Sequence, residues 1–256
     1  MKYFRVFALT LLCFGSPAKA RYNSPFTFVG QDVEPFYFKE GSVGIQGAVF
    51  DIMKEICTQE KLTCKFKIAQ MRPALDMIKN GAAHGGGPFA ISRQRETVLH
   101  YTDPIFKSAF VFLAASETAK KIKSYNDLAG MSAVAMSTSM TWISLQRVNE
   151  ITGNKMKVSG EPTELTAIRK TENKNYALAY VPRELARAYF QHNRDSNLRE
   201  IPALGEPFDI YMVFSRKTVS EDDFKKINQI VKALKKSGFI KDLADRYNLE
   251  AIPPAN

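Results

Sequence analysis

Two arginines, Arg93 and Arg95, stand two residues apart in "SRQRE" (92–96). A guanidinium presents a planar fork of N–H donors that matches a carboxylate, so either arginine could hold the acid group of a ligand. Further along, Ser137-Thr138-Ser139 precede the helical run "MTWISLQRVNE". Hydroxyls and free N–H groups at a helix start make an anion site. The same residues make an ordinary N-cap, and the two roles are compatible. His84, His100 and His192 lack the spacing of metal ligands, and no nucleophile motif accompanies them. No metal, cofactor or catalytic residue is therefore expected. Gly85-Gly86-Gly87 suggest a phosphate loop, but neither GxxxxGK[ST] nor GxSxG is present, and a GxGxxG reading fails at Ala90. Here the glycines are expected to let the backbone approach a ligand or turn sharply.

The elements that must position these residues alternate between strand and helix. "FTFVG" (26–30) and "CKFKIA" (64–69) read as strands, and "SAVAM" (132–136), "KMKVSG" (155–160) and "YALAYV" (176–181) repeat the pattern. Val49, Ile52, Met53 and Ile56 fall at helical spacing within 47–61, and "RPALDMIKNG" (72–81) is a short helix stopped by Asn80-Gly81. Such alternation argues for α/β lobes with mostly parallel sheets. Two longer strands, 109–116 and 208–217, are far apart in sequence and long enough to cross between lobes. The chain is then expected to build one lobe over 21–109, a second over 110–210, and to finish on the first over 211–256. A cleft between the lobes would lie at the C-terminal ends of strands, where open α/β sheets bind ligands.

Residues 1–20 carry Lys2 and Arg5, a short apolar run and Ala18-Lys19-Ala20. This is the pattern of a secretory signal cleaved after Ala20, and the expected destination is the periplasm. Cys13 lacks the small preceding residue that a lipid-anchor site wants. The net charge of +10 falls to about +7 when Lys2, Arg5 and Lys19 leave. The basic residues are spread along the chain, apart from "FKKINQIVKALKK" (224–236). There Phe224, Ile227, Val231 and Leu234 form an apolar helix face and most lysines a solvated one. No nucleic-acid reader motif is present, so no nucleic-acid partner is expected. Cys57 and Cys64, six residues between them, are wrong for the close pairs of common zinc sites. In an oxidising compartment a disulfide is expected, a redox-active pair being the alternative.

The run "GAAHGGGPFAISRQRETVLHYTDPIFKSAFVFLAA" resembles the extracellular solute-binding proteins of the polar amino-acid transport type. The family's small polar turn, T-x-x-R and F-S-x-P-Y elements are matched by Ser92-Arg93-Gln94-Arg95 and Tyr101-Thr102-Asp103-Pro104-Ile105-Phe106. "EPFYFKEGSVGIQGAVFDIMKEI" (34–56) and "KIKSYNDLAGMSAVAMSTS" (121–139) are similar to two more of its segments, so the resemblance spans nearly the whole chain after residue 20. It implies a type II periplasmic-binding-protein fold, two α/β lobes joined by a two-strand hinge, that closes on a small carboxylate-bearing ligand without chemistry. It also implies a monomer that delivers to an ABC transporter permease or signals to a membrane receptor. A few proteins of this fold are dehydratases of prephenate-like substrates.

Residue by residue, the resemblance places Arg95 on the ligand carboxylate, with Thr138 and Ser139 on its other side. Ser92 and Ala90 fall in the turn before the arginine, where Ala90 offers only backbone groups. Phe36, Met71 and Phe89 fall around the ligand side chain, and Arg72 near the cleft. Members that bind α-amino acids carry an acid at the end of the strand before "RELARAYF". Here Tyr180 aligns with it, so the ammonium end of the site is expected to be weak, with Glu184 one turn on as a substitute. Cys57 and Cys64 sit where several members carry a disulfide.

Overall fold

A computed structural model describes Tyr22 and residues 25–254; the expected signal segment, 1–20, lies outside the described residues. In chain order the first half holds β1 (Phe26–Gln31), a small hairpin of β2 (Phe38–Glu40) and β3 (Gly44–Gln46), α1 (Ala48–Gln59), β4 (Cys64–Ala69), α2 (Met71–Asn80), β5 (Gly85–Ala90), α3 (Arg93–Glu96), β6 (Leu99–Tyr101) and β7 (Phe106–Ala115). There follow α4 (Ser116–Ala119), β8 (Ser132–Met136), α5 (Met140–Ile151), β9 (Lys157–Glu161), α6 (Glu164–Glu172), β10 (Leu178–Pro182), α7 (Arg183–His192), β11 (Leu198–Ser215), α8 (Glu221–Lys236), α9 (Phe239–Tyr247) and β12 (Glu250–Ala251).

One mixed sheet carries both lobes, in the order β4-β1-β5-β11-β7-β10-β8-β9. Within each end the pairs are parallel, as alternation predicts: β1 with β4 and β5, β8 with β9 and β10. The two crossing strands, β7 and β11, run antiparallel to each other through the middle. β11 begins ten residues before the expected 208. Pro202, Gly205 and Pro207 punctuate that stretch and read as loop. A register shift between Glu200 and Gly205 absorbs part of them and lets the strand continue along β7.

Apolar residues at helical spacing do what their pattern requires. On α1, Val49, Ile52, Met53 and Ile56 are fully buried in the first lobe's core. On α8, Ile227, Val231 and Leu234 turn inward while Lys225, Lys226, Lys232 and Lys236 stay exposed. Lys235 departs from that division: it is buried, and its Nζ donates to the Pro104 carbonyl at 2.9 Å. A separate core in the second lobe gathers Phe112, Leu128, Leu145 and Tyr180.

The three glycines are not a ligand loop. They form buried β5 between β1 and β11. A Cβ on Gly86 would fall inside the Val29 carbonyl, and one on Gly85 would lie 2.7 Å from the Phe214 ring. Glycine is needed there because strand and core close on it, and only Pro88, Phe89 and Ala90 reach the cleft.

The disulfide is present. Cys57 at the end of α1 joins Cys64 at the start of β4. Its loss by a double Cys→Ser exchange should lower stability by about 2 kcal/mol for so short a loop. Equilibrium urea unfolding of the two forms checks this, and an unchanged midpoint would assign the bridge no stabilising role.

Candidate functional site

Between the lobes, at the C-terminal ends of β1, β5 and β10, lies a cavity to which both lobes and both crossing strands contribute. Six of the ten residues expected at a ligand line it: Phe36, Met71, Phe89, Ala90, Arg95 and Ser139. Arg95 is partly exposed and has no ion-pair partner among the described residues. Its place is set by the turn before it. The Ser92 carbonyl accepts the Arg95 N–H at 2.8 Å and the Glu96 N–H at 3.2 Å, which starts α3.

Opposite, Ser139 caps α5. Its Oγ accepts the Trp142 N–H at 3.1 Å, donates to the Met136 carbonyl at 2.5 Å and shares a 2.7 Å hydrogen bond with Thr141 Oγ1. Capping and cavity lining thus coexist in one residue. Thr141 joins it on the cavity wall. Thr138 does not. Its backbone takes the left-handed conformation, φ 60°, and its side chain is exposed. That turn swings Ser139 into the cap and sends the threonine outward, so Thr138 is off the cavity wall and Thr141 stands on it beside Ser139. Ser92 acts through its backbone and is not on the wall. Arg72 is exposed on α2 and does not line the cavity either.

Tyr180 is the larger correction. It is fully buried in the second lobe's core, its OH 2.8 Å from Ser144 Oγ. Ser144 in turn hydrogen-bonds Glu206, which accepts from Arg147 Nη2 at 2.5 Å. The reason is geometric: helices cover both faces of β10, with Tyr180 in one core and Ala179 and Val181 in the other. A side chain from this segment meets the cleft only past the strand's end, and Pro182, Glu184 and Leu185 do so. Tyr180→Phe should therefore cost about 1 kcal/mol of stability, through the hydrogen bond lost to Ser144, which keeps Glu206 as its acceptor, and leave ligand affinity unchanged. Chemical unfolding and ligand titration of the same variant check both halves, and a fall in affinity would return Tyr180 to the site.

Beyond the end of that strand, where Glu184 was expected as a substitute, the cavity wall holds two buried carboxyl groups. Glu184, at the start of α7, accepts from Ser108 Oγ of β7. Burial raises its pKa, opposed by that hydrogen bond and by the charges of Arg187 and Arg183. Glu164, at the start of α6, was not foreseen. It is 6% exposed, and burial pushes its carboxyl up to about 7. In the sequence it reads as an ordinary first-turn acid on a helix, where the dipole favours one. Nothing local says that it is covered.

Two α/β lobes, two connecting strands and a cavity between them define the type II periplasmic-binding-protein fold. A family description, bacterial extracellular solute-binding proteins, family 3, matches residues 27–250, and the chain belongs to that family. Among solved structures, a mutant of ArgBP from T. maritima is similar at 19% identity and a TM-score of 0.74, over 87% of this chain and 95% of that one. The GluR0 ligand-binding core in complex with L-glutamate is similar at 15% identity and a TM-score of 0.75, over 88% and 98%. A histidine kinase sensor domain is similar at 14% identity and a TM-score of 0.77, over 89% and 98%. At these identities the likeness is one of fold. No curated protein matches the sequence. No helix among the described residues is long and apolar enough to cross a membrane.

Proposed function

We propose that the protein is a periplasmic binding protein, released by cleavage after Ala20. It captures a small carboxylate-bearing solute, an amino acid or a derivative, in the interlobe cleft and delivers it to a membrane transporter. Segments 21–109 and 211–256 act as one lobe and 110–210 as the other, closing on the ligand as a monomer. One observation carries the reading: the Arg95 guanidinium, without an ion-pair partner among the described residues, shares a cavity with the Ser139 and Thr141 hydroxyls of the opposite lobe. A carboxylate seated there satisfies a donor that the protein leaves open, and it ties one lobe to the other. That some structural neighbours are arginine-binding proteins and a glutamate-bound core agrees with a ligand of this size.

The test is a thermal-shift screen of amino acids, their des-amino carboxylates and carboxylate-free amines. A ligand at about 100 times its Kd stabilises by about 2.7 kcal/mol, an easily read rise. Carboxylates should supply the positives. Stabilisation by carboxylate-free amines alone would sink the reading.

A second reading has one observation in its favour. Glu164 and Glu184 are both held towards the protonated form in the cleft, and a protonated acid near neutral pH is what a dehydratase of this fold would need. Incubation with prephenate, followed by product absorbance, decides it.

A further inference from the structure

The second lobe presents one buried acid on the cavity wall that has no side-chain partner among the described residues. Glu164 is 94% buried in the cavity wall, and among the described residues no side chain hydrogen-bonds or pairs with its carboxyl. Its own backbone N–H is the sole polar group acting on it. The other charged groups facing this space are Arg95 from α3 and Glu184 from α7, and neither perturbs Glu164. Glu184 is different, because Ser108 and two arginines already attend it. An ionised carboxylate buried without a partner is costly, so either a proton or a cation must accompany it. In the empty protein burial favours the protonated form. Much of the remaining wall is apolar, with Phe36, Phe89, Phe110 and Phe208.

We propose that Glu164 is the amine-recognition residue of this cleft, and that docking of a ligand ammonium group there expels the carboxyl proton. The inference rests on the carboxylate-binding reading above and extends it: the ligand is an amino carboxylate with an apolar or aromatic body, its acid on Arg95 and its amine on Glu164. In the step, the Glu164 O–H bond breaks and the proton passes to buffer. The ammonium keeps all its protons and donates N–H bonds to the carboxylate. No electrons are exchanged.

Calorimetry on the mature protein tests this with three pairs of probes: L-phenylalanine and 3-phenylpropanoate, L-leucine and 4-methylpentanoate, L-arginine and 5-guanidinopentanoate. At about pH 6, in two buffers of different ionisation enthalpy, the amine-bearing member of the bound pair should bind at least about tenfold more tightly. It should also release about one proton that its partner does not. Glu164→Gln should abolish both the preference and the release while leaving the des-amino affinity within about threefold, and Glu184→Gln should keep the release. An amine preference that survives in Glu164→Gln, or is lost in Glu184→Gln instead, overturns the proposal. If des-amino carboxylates bind and an amine adds nothing, the amine assignment fails and the carboxylate reading stands. If no probe of either kind binds, both fail.

Discussion

Arg95→Ala should weaken binding of the carboxylate ligand by about 2–5 kcal/mol, roughly 30- to several-thousand-fold. The size follows from what the truncation leaves behind. On the proposed reading the ligand's carboxylate is removed from water in the closed cleft, and among the described residues Arg95 is the one cationic side chain on the cavity wall. Without it a desolvated anion keeps only the free N–H groups at the start of α5, because the Ser139 hydroxyl already donates to the Met136 carbonyl. The fold should be indifferent to the change, since Arg95 is half-buried, unpaired among the described residues and part of a four-residue helix held by backbone hydrogen bonds to the Ser92 carbonyl. Titration calorimetry with the best ligand of the screen, alongside a thermal melt of the empty variant, separates affinity from stability. Arg93→Ala is the control. It is exposed and off the wall, and its loss should change affinity little. An Arg95→Ala affinity within about threefold of wild type would remove this residue from the site.

Glu164 should contribute a fall in the empty protein's stability as the pH rises from about 4.5 to about 7, opposed by His84 and His100, whose pKa values burial lowers, and Glu164→Gln should remove that contribution. Burial raises the Glu164 carboxyl from an ordinary 4.5 to about 7. In the unfolded chain the proton leaves near the ordinary value, whereas the folded protein keeps it until about 7. Across that window the folded state binds more protons, so its advantage shrinks with each step in pH and levels off above the folded value. The stability present below the unfolded pKa and lost above the folded one is about 3 kcal/mol, or roughly 5–10 °C in Tm for a chain of this size. Glu184 is shifted in the same direction and contributes a smaller slope that the Gln variant retains. Thermal melts of both proteins at half-unit pH steps provide the comparison. Parallel curves would mean that Glu164 is solvated or paired in the empty protein, and the basis for proton-coupled amine docking would go with it.

The elements and their order were legible in the sequence because helix and strand periodicity is a local property. α1 follows from Val49, Ile52, Met53 and Ile56, and β8 spans the run 132–136 as read. Arg95 was legible for a related reason: turn, arginine and following strand are contiguous, so their spacing survives in one short stretch. What the tertiary structure decided is which side chains are covered, and by what. Gly86 looks like half of a phosphate loop until the Val29 carbonyl is brought against it from another strand. Tyr180 aligns with a ligand-binding acid, yet helices packed on both faces of β10 leave it in the core and pass the cleft to Glu184. Glu164 reads as an ordinary first-turn acid, and only the assembled fold shows that it is buried at the cavity wall. Periodicity records the face of an element, but the dielectric around a side chain is set by residues distant in the chain. The charge state of this cleft therefore had to come from the assembled fold.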